Sequence, residues 1–136
     1  MSIRIQIEHG DKKYAAQVAT IKSTSLGEND RGIFTAGFEL SGDGWGVFAA
    51  GDYALDGAPE EGSYERTSTA YGMDYIRQIL RVVGVERWEH LIGKRVYALS
   101  EGSGGWGSRN VGIANIDTGK AFIYQEHADM WKDRVA

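Results

Sequence analysis

The segment that decides the fold of this chain is Tyr71-Gly-Met-Asp-Tyr-Ile-Arg-Gln-Ile-Leu-Arg-Val-Val-Gly-Val-Glu-Arg-Trp-Glu-His-Leu-Ile-Gly-Lys-Arg-Val-Tyr97. In its first half, apolar or small residues recur every three or four positions, which is the spacing of one face of a helix. These residues are Gly72, Tyr75, Ile76, Ile79, Leu80 and Val83. Arg77 and Arg81 fall outside that face. The spacing therefore predicts an amphipathic helix over about residues 68–83.

The ends of this helix are marked by residues with suitable capping chemistry. Ser68 or Thr69 can accept a hydrogen bond from an amide of the first turn, and Gly84 can adopt the left-handed conformation that ends many helices. We expect a short second helix over about residues 86–91, followed by a strand that begins at Arg95.

Strands are predicted on both sides of the helical segment. Ile3, Ile5 and Ile7 alternate with polar residues, as in a half-buried strand. Similar alternation or apolar runs indicate strands at 14–18, 34–40, 45–55, 95–99, 111–116 and 121–124. Turn-forming residues occur at 27–30 and at 117–120. Strands, then helices, then strands predict an α+β fold with a mainly antiparallel sheet.

Length and composition favour one domain spanning residues 1–136, with a candidate flexible C-terminal tail at 126–136. The chain has no cysteine, which excludes disulfides and cysteine-ligated metals and fits a reducing cytoplasm. It contains no apolar run long enough to span a membrane, so we expect no membrane partner. His9, His90 and His127 lack metal-ligand spacing, so no metal site is predicted.

The net charge of -4 is unevenly distributed along the chain. Between Arg31 and Arg66 there are seven carboxylates and no lysine or arginine, whereas basic residues prevail between Arg77 and Arg95. Generic DNA binding requires a broad basic surface, which this sequence lacks. The acidic stretch is either a solvated face or a docking surface for a basic partner.

Sequence motifs give no support for catalysis. The segment Gly102–Gly107 matches the count of a dinucleotide fingerprint, but the residues after it indicate a strand where that motif requires a helix. Neither a nucleophile elbow nor a phosphate-binding loop is present. We therefore predict no catalytic residues and no cofactor.

Residues left over after the core is assigned form a candidate binding set. Arginine suits phosphate, aromatic rings stack on nucleobases, and asparagine can pair with an adenine edge. Ordinary structural roles, such as core packing for the aromatics and surface ion pairs for the arginines, are the alternative. The candidate ligand-binding residues are Arg31, Arg66, Tyr71, Trp106, Arg109 and Asn110.

Three blocks resemble a family of small proteins encoded by bacteriophages and prophages. They are Gly32-Ile-Phe-Thr35, Asp52-Tyr-Ala-Leu-Asp-Gly57 and the block 72–96, in which Ile-Leu-Arg-Val-Val-Gly-Val-Glu-Arg-Trp-Glu-His-Leu-Ile-Gly-Lys is the specific part. The chain departs from the family at Asn29-Asp-Arg31 and at Gly51-Asp-Tyr53. The order of elements is also similar to that of Thoeris anti-defence sponge proteins, which sequester cyclic ADP-ribose signals.

The resemblance implies a sponge that sequesters a small anionic cyclic nucleotide, such as a cyclic ADP-ribose derivative or a cyclic oligonucleotide, in the host bacterial cytoplasm. Two alternatives stay open: an inhibitor that docks on a defence protein through the acidic stretch 39–65, and a hydrolase of the same nucleotides. The abundance of aromatic residues on short strands predicts an uncovered apolar face and hence a homo-oligomer.

Overall fold

The computed structural model describes residues 5–101 and 109–135, which form an α+β fold with a mainly antiparallel sheet, as the sequence predicts. Two long helices and a short 3-10 helix at Trp88–His90 accompany the strands. Neither of the described α-helices is both long and apolar enough to cross a membrane. The elements are β1 Ile5–His9, β2 Lys12–Asp30, β3 Ile33–Gly42, β4 Trp45–Ala49, β5 Asp56–Gly57, β6 Thr67–Ser68, α1 Ala70–Val83, β7 Arg95–Ser100, β8 Asn110–Ala114, β9 Ala121–Ile123 and α2 Tyr124–Val135.

The seven-stranded main sheet has the order β4-β3-β2-β7-β8-β9, with β1 paired to β2. Residues 12–16 of β2 pair with β1 and residues 20–30 pair with β3, while residues 15–20 pair with β7 on the opposite side. β1 and β3 therefore pair with the same edge of β2, and β7 pairs with its other edge. β5 and β6 form a separate two-stranded ladder.

The turn predicted at 27–30 is wrong, because β2 continues through these residues to Asp30. The chain reverses at Arg31 and Gly32, which both have positive φ angles, of 53° and 86°. Two consecutive positive φ values match the tight turns that suit the twist of a hairpin. The second predicted turn is confirmed: Asn115 Oδ1 accepts hydrogen bonds from the amides of Asp117 and Thr118 before β9 begins.

Helix α1 lies within the predicted range and has the predicted caps. Thr69 Oγ1 accepts a 2.9 Å hydrogen bond from the Gly72 amide, and Gly84, at φ 89°, donates its amide to the Leu80 carbonyl. Ile79 is fully buried, while Leu80 is only partly buried. Gly72 packs so closely on Leu55 that a Cβ there would overlap the Leu55 carbonyl.

Apolar side chains collect in two clusters on opposite faces of the sheet. Along β7, Val96 and Ala98 belong to the first cluster, while Leu99 and Tyr97 belong to the second. Because neighbouring residues of a strand point to opposite faces, the clusters lie on either side of the sheet. Tyr75, on α1, belongs to the first cluster, so α1 covers that face.

Residues 126–136, the candidate flexible tail, fall largely within α2. The sequence does not predict α2 because few of its side chains are apolar and some of its contacts with the rest of the protein are polar. His127 is 7% exposed, and its Nε2 lies 2.8 Å from Asp74 Oδ2 of α1. Trp131 Nε1 donates to the same oxygen at 3.2 Å. The spacing of Tyr124, His127 and Trp131 is the one sequence signal that could have indicated this helix.

The predicted strand 45–55 ends early, at Ala49, since Ala50 adopts a positive φ of 69° and turns the chain. In the short strand β4 that remains, Phe48 lies over Gly37 and Gly51, and a Cβ on either glycine would overlap its ring. Aromatic rings thus cover some of the 19 glycines of this chain.

Candidate functional site

Two clefts flank the N-terminus of α1, and Thr69 lines both of them. The first, about 730 Å³, is called here the arginine cleft because Arg31 and Arg66 line it, with Phe34, Leu55 and Ile76 among its apolar walls. The second, about 600 Å³, is called the aromatic cleft. It is lined by Tyr53, Ala54, Thr69, Ala70, Tyr71, Gln125, Ala128, Trp131 and Lys132.

In the arginine cleft, Arg66 is engaged by a carboxylate. Its Nε lies 3.0 Å from Asp56 Oδ2, and the two side chains are only 28% and 12% exposed. The amide of Phe34 also donates to Asp56 Oδ2, at 3.3 Å. The Arg66 guanidinium beside it holds the pKa of Asp56 below its usual range, and burial of the carboxyl opposes this only partly. The positive charge of Arg66 is therefore balanced locally.

The remaining charges make the arginine cleft a poor phosphate site. Among its described lining residues, Arg31 and Arg66 face three carboxylates, Glu28, Asp56 and Glu65. A phosphate dianion there would meet more negative than positive side chains. The two arginines selected from the sequence thus share a cleft, but one without a net positive charge.

The aromatic cleft has walls that are held in place by neighbouring groups. The Tyr53 hydroxyl donates to Gln125 Oε1 at 3.2 Å, and the Trp131 indole is fixed by its hydrogen bond to Asp74. The Tyr71 ring packs against His127, with 5.3 Å between ring centroids. These contacts preorganise three aromatic side chains around one cavity, which reduces the entropy lost when a flat ligand binds.

Tyr71 contributes an unusual polar atom. Its hydroxyl oxygen is buried and finds no hydrogen-bond partner among the described residues. Burial, helped by the nearby Tyr53, raises the pKa of Tyr71 to about 12. A buried hydroxyl without a hydrogen-bond partner destabilises the folded protein. If the Tyr71 ring moves slightly so that its hydroxyl donates to a ligand, that free-energy penalty is removed on binding.

Positive potential reaches the aromatic cleft from two sources. The amides of Ala70 and Tyr71 belong to the first turn of α1, whose amides have no intrahelical carbonyl to bind, and they carry the positive end of the helix dipole. Lys132 lines the cleft from α2, and its Nζ forms a long, exposed ion pair of 3.9 Å with Asp129 Oδ1. Both features favour an anionic group at the rim.

Arg109 lies on the Tyr53 side of this cleft. Its Nη2 donates to Asp52 Oδ2 at 3.2 Å, and both side chains are largely exposed, so the pair is weak and open to exchange. Burial raises the pKa of the Tyr53 hydroxyl, and the charge of Arg109 acts against that rise. Arg109 is therefore close enough to Tyr53 for its charge to lower the pKa of the Tyr53 hydroxyl.

Asn110 has a structural role that the sequence did not reveal. Its Nδ2 donates to the carbonyls of Leu99 and Gly112, at 3.1 and 2.9 Å, and its Oδ1 accepts from the Tyr124 hydroxyl at 2.8 Å. The amide bridges β7, β8 and α2 where the β7–β8 register shifts. With both ends of its amide engaged, Asn110 is poorly placed to pair with an adenine edge.

The six predicted binding residues thus do not form one cage. Arg31 and Arg66 line the arginine cleft, and Tyr71 lines the aromatic cleft. Trp106 lies outside the described residues. Sequence reasoning missed Tyr53 and the α2 side of the aromatic cleft, because the loop and the helix that carry them meet only in the fold.

Three of the seven carboxylates in the acidic stretch 39–65 lie near cations. Asp52 pairs with Arg109 and Asp56 with Arg66. Asp43 shares a smaller cleft with Lys22 and Arg95. The exposed carboxylates that remain are concentrated on the loop between β5 and β6, which carries Glu60, Glu61 and Glu65.

Within residues 5–101 and 109–135, no group of three or more histidine and carboxylate side chains is arranged to hold a metal ion. A strand, β8, follows the Gly102–Gly107 segment, as expected, in place of the helix that a dinucleotide site needs. No protein-family model, curated protein or solved structure matches this chain.

Proposed function

We propose that this protein binds a small anionic nucleotide in the aromatic cleft and sequesters it without turning it over. The observation that carries the proposal is the meeting of Tyr53, Tyr71 and Trp131 in one cavity at the N-terminus of α1. Aromatic faces accept a nucleobase by stacking, and amides at a helix N-terminus accept a phosphate. Residues of both kinds line the cleft.

Size and lining support a ligand of this class. A cavity of about 600 Å³ lies in the range of small-molecule sites, which are mainly apolar with a few placed polar groups. Lys132 and the weakly paired Arg109 supply cations for a second phosphate. Arg109 can exchange its exposed contact with Asp52 for a ligand at little cost, since exposed ion pairs contribute little.

The biological part of the proposal rests on the resemblance to phage-encoded proteins. Of the blocks that carry that resemblance, 52–57 contributes Tyr53 and Ala54 to the lining of the cleft, whereas the block 72–96 contributes none of the described lining residues. We propose that the ligand is a cyclic nucleotide signal of a bacterial defence system, and that the protein acts as a sponge for it in the host cytoplasm.

The test is incubation of the protein with a panel of cyclic ADP-ribose derivatives and cyclic oligonucleotides, followed by calorimetry, heat release and mass spectrometry. Recovery of an intact ligand supports a sponge. Recovery of an altered ligand indicates a hydrolase, and no binding to any member of the panel contradicts the proposal and favours the protein-docking alternative.

Two variants assign the binding to the aromatic cleft. Ala128→Trp fills the cleft from α2, and Lys132→Glu reverses its cation, so both should weaken binding by at least about tenfold. Tyr64→Ala and Lys120→Glu are matched controls, because Tyr64 is fully exposed at the arginine cleft and Lys120 lies beside the β8–β9 turn. Equal binding by all four variants would show that the ligand binds outside the aromatic cleft.

A further inference from the structure

We propose that β4 is a self-association surface, through which two copies of this chain pair antiparallel across a two-fold axis. β4 forms one end of the described strand order in the main sheet. Its central residues are exposed: Val47 is 37% and Phe48 58% accessible, and Gly46 is also exposed. This inference is independent of the nucleotide proposal.

The edge lacks the features that usually protect a monomer. Natural edge strands are guarded by lysine, proline, bulges or inward-pointing charges, which prevent pairing with another chain. β4 has the sequence Trp45-Gly-Val-Phe-Ala49, with no charged residue and no proline, and it pairs with β3 in an unbroken register. An edge strand of this kind is open to pairing with a strand of another chain.

The sequence of β4 is sterically complementary to its own reverse. If the two-fold axis passes through Val47, then Val47 lies opposite itself, Phe48 lies opposite Gly46, and Trp45 lies opposite Ala49. Each large residue thus lies opposite a small one. The Phe48 ring lies over Gly37 and Gly51 of its own chain and the Trp45 ring lies over Gly42, so no two large side chains meet across the axis. Pairing with a shift of one or two residues would lose this match of large and small residues.

The space needed for this pairing is present at its centre. Apart from the two chain neighbours of Gly46, the only atom of the described residues within 4 Å of a Cβ built there would be the Leu40 carbonyl oxygen, at 3.7 Å. The Ala49 side chain is buried in the first core cluster and does not project against an incoming Trp45. The backbone at Gly46 is therefore accessible to an incoming strand on this face.

Charges near the ends of β4 do not oppose the pairing strongly. Asp43 shares its cleft with Lys22 and Arg95, and Asp52 pairs with Arg109. A five-residue strand pair belongs to the small interfaces that give weak, reversible complexes. The dimer should therefore be concentration-dependent and not permanent.

Cysteine cross-linking tests the register directly, because the chain has no native cysteine. Directly opposite residues in antiparallel strands have Cα atoms about 4.5–5.5 Å apart, within disulfide range. We expect Val47→Cys to form disulfide-linked dimers under mild oxidation. An equal mixture of Gly46→Cys and Phe48→Cys should give a mixed disulfide in greater yield than either variant alone. Met130→Cys, on the exposed side of α2, is the control and should cross-link slowly.

Charge exchange gives a second measurement that does not depend on disulfide chemistry. Val47→Asp and Val47→Lys each place like charges on the axis and should be monomeric by light scattering, whereas their equal mixture should recover dimers. Circular dichroism and melting of each variant establish that it is folded. The inference is overturned if Val47→Cys cross-links no faster than Met130→Cys, or if Val47→Asp dimerises as the parent does.

Discussion

The Nε2 atom of His127 lies 2.8 Å from the Oδ2 atom of Asp74, and this contact fastens α2 to α1. The same carboxylate accepts hydrogen bonds from Trp131 Nε1 and, through its other oxygen, from Gln78. Because Trp131 lines the aromatic cleft, Asp74 sets the position of a proposed binding residue without lining the cleft itself.

Asp74→Ala should destabilise the protein by about 1–3 kcal/mol at neutral pH, because it leaves the buried His127 and the Trp131 indole without their acceptor. Burial raises the pKa of Asp74, but the hydrogen bonds from His127, Gln78 and Trp131 together lower it below its usual value. The stabilisation is therefore complete above the unfolded pKa, near about 4, and is lost as the pH falls through the folded pKa.

Urea denaturation at pH 7 and at pH 3 measures this effect. The parent should lose more stability on acidification than Asp74→Ala does. Asp129→Ala, an exposed carboxylate on α2, is the control and should change stability by no more than about 0.5 kcal/mol. A parent and an Asp74→Ala variant with parallel acid profiles would contradict the prediction.

Removing two neighbouring tyrosine hydroxyls should have opposite consequences. The Tyr75 hydroxyl donates to the Ala50 carbonyl at 2.7 Å, so Tyr75→Phe should cost about 0.5–1.5 kcal/mol. The Tyr71 hydroxyl is buried without a partner among the described residues, so Tyr71→Phe should be neutral or stabilising. Chemical denaturation of both variants checks this, and a larger loss for Tyr71→Phe than for Tyr75→Phe would refute it.

Tyr71 should ionise well above the range of an ordinary tyrosine. Its pKa is raised to about 12, chiefly by burial. The folded state therefore favours the neutral phenol, so its contribution to stability is intact below about pH 10 and declines as the pH rises from 10 towards 12. Ultraviolet difference titration should show a phenolate step near pH 12 that Tyr71→Phe removes, and an unchanged titration curve in that variant would exclude the assignment.

Gly72→Ala should destabilise α1, although alanine usually favours a helix over glycine by about 1 kcal/mol. The added Cβ would overlap the Leu55 carbonyl, which is backbone and cannot rotate away, so we expect a net loss of about 1–3 kcal/mol. Thermal melting provides the measurement. Met73→Ala, at the next and exposed position, should have a small effect, and a stabilised Gly72→Ala would show that the helix does not pack as described.

The sequence predicts α1 well because its signals are local. Thr69 and Gly84 mark its ends, and the apolar spacing between them identifies Ile79 as a core residue. Helix α2 lacks such a pattern, and part of its attachment is the contact of His127 with a carboxylate 53 positions earlier in the chain. Polar tertiary contacts of this kind produce no periodic pattern of apolar residues, so they cannot be recognised from the sequence.

The candidate site shows the same division between local and distant information. Tyr71 is a candidate from the sequence because aromatic rings stack on nucleobases, and it lines the aromatic cleft. Its companions Tyr53 and Trp131 come from a loop and from α2, and only the assembled fold brings them together. Arg66 is a candidate from the sequence because arginine suits phosphate, but in the fold Asp56 of β5 lies beside it and balances its charge.

Thr69 caps α1, donates to the Leu55 carbonyl at 2.5 Å and lines both clefts. A ligand in one cleft that hydrogen-bonds to the Thr69 hydroxyl changes the N-terminal cap of α1. Because Thr69 also lines the other cleft, the geometry of that cleft changes with it. Occupancy of the two cavities is then thermodynamically linked: whatever factor the first ligand imposes on the affinity for the second, the second imposes on the first.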